Sequence, residues 1–166
     1  MQNLWQLWQA IEERFKKSGK VSDYFSEESL ARIKAVVGET EKKTSGEIRV
    51  VVLQKCDYLD SRVQALIEFE KAGMQNTRDK TGVLILLALS ERKFEVVADE
   101  GINAKIVPEE WQKLSGDMSQ CFQNGLFAEG VMLAVKRVGD KLAEHFPRKG
   151  DDTNELPNDV ILGGDR

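Results

Sequence analysis

One histidine, His145, is present among 166 residues. That scarcity excludes a histidine-phosphoenzyme route and a His-rich binuclear metal centre, which both need more imidazole than one side chain supplies. The two cysteines, Cys56 and Cys121, form no metal-ligand spacing. So few thiols, with no export signal, suit a reduced cytoplasmic protein. Long apolar runs are missing too, and nothing approaches the ~18 residues that a membrane span needs. At the amino terminus, MQNLWQLWQAIEERFKK interrupts its apolar residues with Gln and Glu and places its basic residues last. A secretory signal has the reverse order. Nor is there a basic excess: 24 Lys and Arg against 28 Asp and Glu give a formal net charge of −4. That leaves no electrostatic case for nucleic acid. No Gly-rich nucleotide fingerprint occurs.

What is present is a globular composition, 41% hydrophobic and 31% charged, which argues against disorder. The length suits one domain with appendages: an amphipathic helix and linker over 1–22, an α/β domain over 23–147 and a polar acidic tail over 148–166. Residues 82–101, GVLILLALSERKFEVVADEG, are the most informative stretch. The run Val83 to Leu89 has no polar face and belongs at the centre of a sheet. After a turn at Ser90-Glu91-Arg92 it returns as an alternating strand, with Phe94, Val96 and Ala98 opposite Lys93, Glu95 and Val97.

Elsewhere the pattern reads as helices and one more strand. Leu4, Leu7, Trp8, Ile11 and Phe15 give an amphipathic helix over 3–17, suited to packing on the domain or on a partner subunit, with peripheral membrane contact as the alternative. Ser26 caps a helix that ends near Lys43, and Glu47 opens a strand over Ile48 to Leu53. Leu59, Val63, Leu66, Ile67 and Met74 supply the face of the next helix. Pro108 starts another, with Trp111, Leu114, Met118, Cys121 and Phe122 inward, and a last helix runs from Phe127 to Phe146. Val160-Ile161-Leu162 in the tail can dock as a short edge strand.

A strand–helix–strand unit makes a parallel crossover, so the expected fold is a mixed sheet covered by helices. Strand direction then has a consequence for charge. Glu47 and Asp79 precede parallel strands, and Asp99 and Glu100 follow an antiparallel one, so all four carboxylates fall on one rim. Oxygen-rich rims suit Ca²⁺ or Mg²⁺, and Gly46, Gly82 and Gly101 allow carbonyls to turn toward an ion. Solvated strand-end acids, neutralised by Arg78 and Lys80, explain the same residues without a metal.

The segments TSGEIRVVV, GM–T–GVLILLAL and RKFEVVADEGI resemble the TPM domain family, often labelled a phosphatase domain. Trp111, the Phe122–Gly125–Phe127–Gly130 series and HFP–DD–NELP extend the likeness, which covers roughly residues 24–160. The resemblance is to a compact cytosolic branch. It implies a Rossmann-like α/β/α sandwich, divalent cation binding in some members, and acid phosphatase activity in a plant relative. By motif position it marks Glu47 and Asp99 as acidic site residues, with a weaker match at Asp79. The helix before Tyr24 has no counterpart in the family pattern.

Cys56 and Arg62 have the spacing of a cysteine-phosphatase loop, but Asp57-Tyr58-Leu59-Asp60-Ser61 between them holds no glycine and two carboxylates that repel phosphate. Three readings remain: a cation-binding domain with weak or no phosphatase activity, a metal-dependent phosphomonoesterase, and an interaction module that recruits a partner or self-associates through residues 3–17.

Overall fold

The computed structural model describes residues 20–153 and 156–163. The helix expected over 3–17 lies outside them. Strands β1 (Glu47–Leu53), β2 (Gly82–Ala88), β3 (Lys93–Ala98) and β4 (Ile161–Gly163) form one mixed sheet in the order β3-β2-β1-β4. Among the described residues five α-helices accompany it: α1 (Glu27–Glu41), α2 (Ser61–Lys71), α3 (Glu100–Asn103), α4 (Pro108–Gln123) and α5 (Phe127–His145).

Strands β1 and β2 run parallel in register from Glu47 opposite Gly82 to Leu53 opposite Ala88, and every residue of both is buried. β2 has no polar residue and β1 is buried along its whole length despite Glu47 and Arg49, which places the pair at the centre. Strand β3 returns antiparallel, with Ala98 opposite Val83. The apolar stretch of the tail supplies β4, parallel to β1 at Val51 to Leu53.

Alternation along the strands sorts two cores. Ile48, Val50, Val52, Val83, Ile85 and Leu87 face a large cluster with α1, α4 and α5. Val51, Leu53, Leu84, Leu86, Ala88 and Val97 face a smaller one with Ala65, Phe69 and Met74. The sheet therefore carries helices on both faces, as the fold class requires.

Local signals set the element ends. Ser26 Oγ accepts from Ser29 N at 3.1 Å, and Asp60 Oδ1 accepts from Arg62 N at 2.8 Å, each satisfying an orphan amide at a helix start. Gly73, at φ 71°, takes the left-handed position that ends α2.

The face expected for α2 is a correction. Leu59, Val63 and Leu66 are exposed, whereas the helix buries Ser61, Gln64, Ala65 and Phe69. Met74 is buried, but it lies beyond α2 in a 3₁₀ turn. Polar groups can face inward because each finds a partner: Gln64 Oε1 accepts from Asp57 N at 2.9 Å and Gln64 Nε2 donates to Glu68 Oε1 at 3.0 Å. Ser61 Oγ donates to Glu95 Oε1 at 2.6 Å.

Candidate functional site

The rim inferred from strand direction exists in the backbone. Glu47 N donates to Thr81 O at 3.1 Å, Asp99 N to Gly82 O at 2.9 Å and Gly101 N to Lys80 O at 3.1 Å. Segments distant along the chain are thus tied together at the amino end of the parallel strands. Gly101 is needed there, because a Cβ at that position would strike the carbonyl oxygens of Asp79 and Lys80. Lys80 itself is held at φ 56°, an uncommon conformation for a residue with a side chain.

The side chains divide among different tasks. Asp99 caps α3: its Oδ1 accepts from Glu100 N at 2.8 Å. Its second oxygen, Oδ2, is buried and has no hydrogen-bond partner among the described residues. Glu100 is exposed beside it. Asp79 is half-exposed and pairs with Arg78 Nε at 3.6 Å. Arg78 also donates through Nη2 to Asp152 Oδ1 at 2.8 Å, with Asp151 at 4.0 Å. An acidic pair from the tail therefore joins the rim, and Arg78 stands as the internal cation among three carboxylates.

Glu47 is turned away into a separate buried cluster. Glu41, Glu47 and Arg49 are 5%, 3% and 5% exposed. Glu41 Oε1 accepts from Ile48 N at 2.8 Å, and the Glu41 carboxyl lies beside that of Glu47. Burial, reinforced by the neighbouring Glu47 charge, pushes the Glu41 carboxyl up to about 8. Burial also draws the Arg49 guanidinium below its usual value, against the pull of Glu41, Glu47 and Asp159. Arg49 Nη1 reaches Asp159 O at 3.4 Å, and Lys34 Nζ pairs with Asp159 Oδ1 at 2.6 Å. A carboxyl that keeps its proton beside a carboxylate and an Arg limits the charge this cluster holds out of water.

Of the four expected site residues, the backbone places all on one rim but the carboxylates do not meet. Among the described residues no group of three or more His, Cys, Asp or Glu side chains is placed to hold a metal ion. Glu41 and Arg49 escaped the sequence reading. Arg49 is a charge inside a strand whose other residues after Glu47 are apolar, a pattern that could have marked it. Glu41 has no such signal, since its burial depends on how α1 docks.

The loop after β1 is arranged against phosphate. Cys56 N donates to Glu91 Oε1 at 3.1 Å, Asp57 N to Gln64 and Arg62 N to Asp60, so these amides are taken by the protein's own oxygens. Arg62 Nη1 donates to Val96 O at 2.7 Å. Burial, with Glu91 and Asp57 adding to it, pushes the Cys56 thiol up to about 11. A thiol kept protonated near neutrality is a poor nucleophile. His145 is the last residue of α5 and half-buried, a helix-end position.

Similarity to known proteins agrees with the fold. No functionally curated protein matches the chain. The BA42 protein from the psychrophilic bacterium Bizionia argentinensis shares 32% identity, over 88% of this chain and 100% of its own, with a TM-score of 0.80. The N-terminal domain of a protein from P. gingivalis is 18% identical, covers 78% of this chain and 85% of its own, and has a TM-score of 0.62. The N-terminal domain of cg2496 from Corynebacterium glutamicum is 16% identical over 74% of this chain and 76% of its own, with a TM-score of 0.58. Those two likenesses show the fold alone. The model of the TPM domain matches residues 20–141, most of the chain. The chain belongs to the TPM domain family.

Proposed function

We propose that this chain is a divalent-cation-binding TPM domain, taking Ca²⁺ or Mg²⁺ at Asp99, with weak or no phosphatase activity of its own. The observation that carries the reading is Asp99 Oδ2, a buried carboxylate oxygen without a hydrogen-bond partner among the described residues. A buried carboxylate oxygen in that condition is costly unless a cation or donor meets it. Oxygen donors select hard ions, and the exposed Glu100 carboxylate and the Asp79 and Lys80 carbonyls packed against Gly101 are candidates for a shared shell. Asp79 contributes little charge while Arg78 holds it. Glu47 does not fit the set, because its carboxylate is buried against Glu41.

So few charged ligands place the affinity in the weak range, at a Kd of about 10⁻⁴–10⁻³ M. The bound ion would supply Lewis acidity, while Asp99 would fix its position. Against a covalent phosphatase route stand the protonated Cys56 thiol and the occupied amides of its loop.

Calcium calorimetry on the whole chain tests this reading. Heat of binding is expected from the wild type, retained in Glu47→Gln and lost in Asp99→Asn. A calcium response that survives Asp99→Asn contradicts the site. Rapid turnover of a generic phosphomonoester that Asp99→Asn abolishes would instead make the chain a metal-dependent hydrolase.

A further inference from the structure

Two crevices open at the carboxyl end of β1 and β4, the opposite edge of the sheet from Asp99. One, of about 600 Å³, lies between the loop after β1, α2 and β4. The other, of about 580 Å³, lies between the segment from Val21 to Leu30 and β4. Leu162 and Gly163 line both, so the two adjoin across the tip of β4. This edge is also where the chain's path splits, since β1 leads through α2 to β2 on one side while β4 arrives from the tail on the other. Such a split is where open α/β sheets leave a crevice.

Apolar side chains are left uncovered along it. Leu162 is 50% exposed, Tyr58 48% and Leu59 fully. A single exposed leucine needs no explanation, but three large apolar groups around one depression mark a contact surface.

Lys20, where the described chain begins, is on the wall of the second crevice. Directly upstream the sequence carries Leu4, Leu7, Trp8, Ile11 and Phe15 at helical spacing, on residues that precede the family match. The sequence thus has apolar residues at helical spacing just ahead of Lys20, and Lys20 stands on a crevice whose neighbour, otherwise lined largely by polar side chains, leaves Leu162, Leu59 and Tyr58 uncovered. We propose that residues 3–17 of the same chain are the occupant, laying Leu7, Trp8, Ile11 and Phe15 across Leu162, Leu59 and Tyr58. A helix of that length spans roughly 22 Å at ~1.5 Å per residue. Attachment at Lys20 gives the segment a high effective concentration at the rim, which favours it over a second copy.

A spin label tests the proposal in the full chain. It is placed at Gln9→Cys, off the apolar face, with Cys56→Ala and Cys121→Ser removing the other thiols. Amide peak heights are compared before and after reduction of the label in one sample, so effects of the substitutions on the fold cancel. Peaks of Tyr58, Leu59 and Leu162 are expected to be lost while Val107, exposed near the opposite edge, is kept. Adding Leu162→Glu is expected to restore Tyr58 and Leu59. Intact peaks at all three positions, or equal loss at Val107, overturn the assignment. Loss that appears only when spin-labelled, isotope-free protein is mixed with unlabelled isotopic protein also overturns it, making a second copy the occupant.

Discussion

At the scale of single residues, the most consequential groups are charged side chains placed where water is scarce. Glu41 is the clearest case. Its folded carboxyl holds a proton up to about 8, whereas the ordinary value is 4.5, because burial penalises the anion and Glu47 adds repulsion. Between those two values the folded state binds more protons than the unfolded one. Stability is therefore fullest below about pH 4.5, as far as this group is concerned, and falls as pH rises toward 8. Thermal unfolding across that window is expected to show the decline, worth on the order of a few kcal/mol. Glu41→Gln, which keeps the acceptor for Ile48 N, should flatten it. A wild type with the same slope as the variant would mean that Glu41 is ionised in the fold. Asp99 differs in kind: one oxygen is committed to α3 and the other is buried without a hydrogen-bond partner among the described residues.

Among the elements, close approach decides what the sequence tolerates. Helices α1 and α5 cross where Gly139 faces Thr40, and a Cβ at Gly139 would collide with the Thr40 methyl. Gly139→Ala is expected to destabilise the fold by about 1–3 kcal/mol in urea unfolding, despite the better helix propensity of Ala. A neutral or stabilising result would show that the helices can part without cost. The same scale shows what could be read in advance. Strand β2 was legible because a run with no polar residue has one place in a sheet, and the tail's Val160-Ile161-Leu162 because it is the only apolar stretch there. The inward face of α2 was not, since hydropathy cannot see that Ser61 and Gln64 have partners waiting. Strand direction gave the rim, but the turning of Glu47 toward Glu41 needed the docking of α1, and the arrival of Asp151 and Asp152 needed the path of the tail.

For the whole molecule, the two ends of the sheet have different characters. The amino edge of the parallel strands carries Asp99 and Glu100 and gathers Asp79, Asp151 and Asp152 around Arg78. The carboxyl edge is cleft and partly apolar. Among the described residues no helix is long and apolar enough to cross a membrane. The proposed cation binding at one end and the proposed coverage by residues 3–17 at the other involve different residues, so a variant that loses one should keep the other. The Leu162→Glu chain is accordingly expected to bind calcium as the wild type does, measured by the same calorimetry. Loss of calcium binding in that variant would show that the two edges are coupled through the sheet.

The most direct test of the central claim is an amide chemical-shift map of the full chain on addition of calcium. Shifts are expected to concentrate at residues 79–82 and 99–103, to saturate, and to disappear in Asp99→Asn. A map without change at those positions, or with the same changes in Asp99→Asn, would contradict the account.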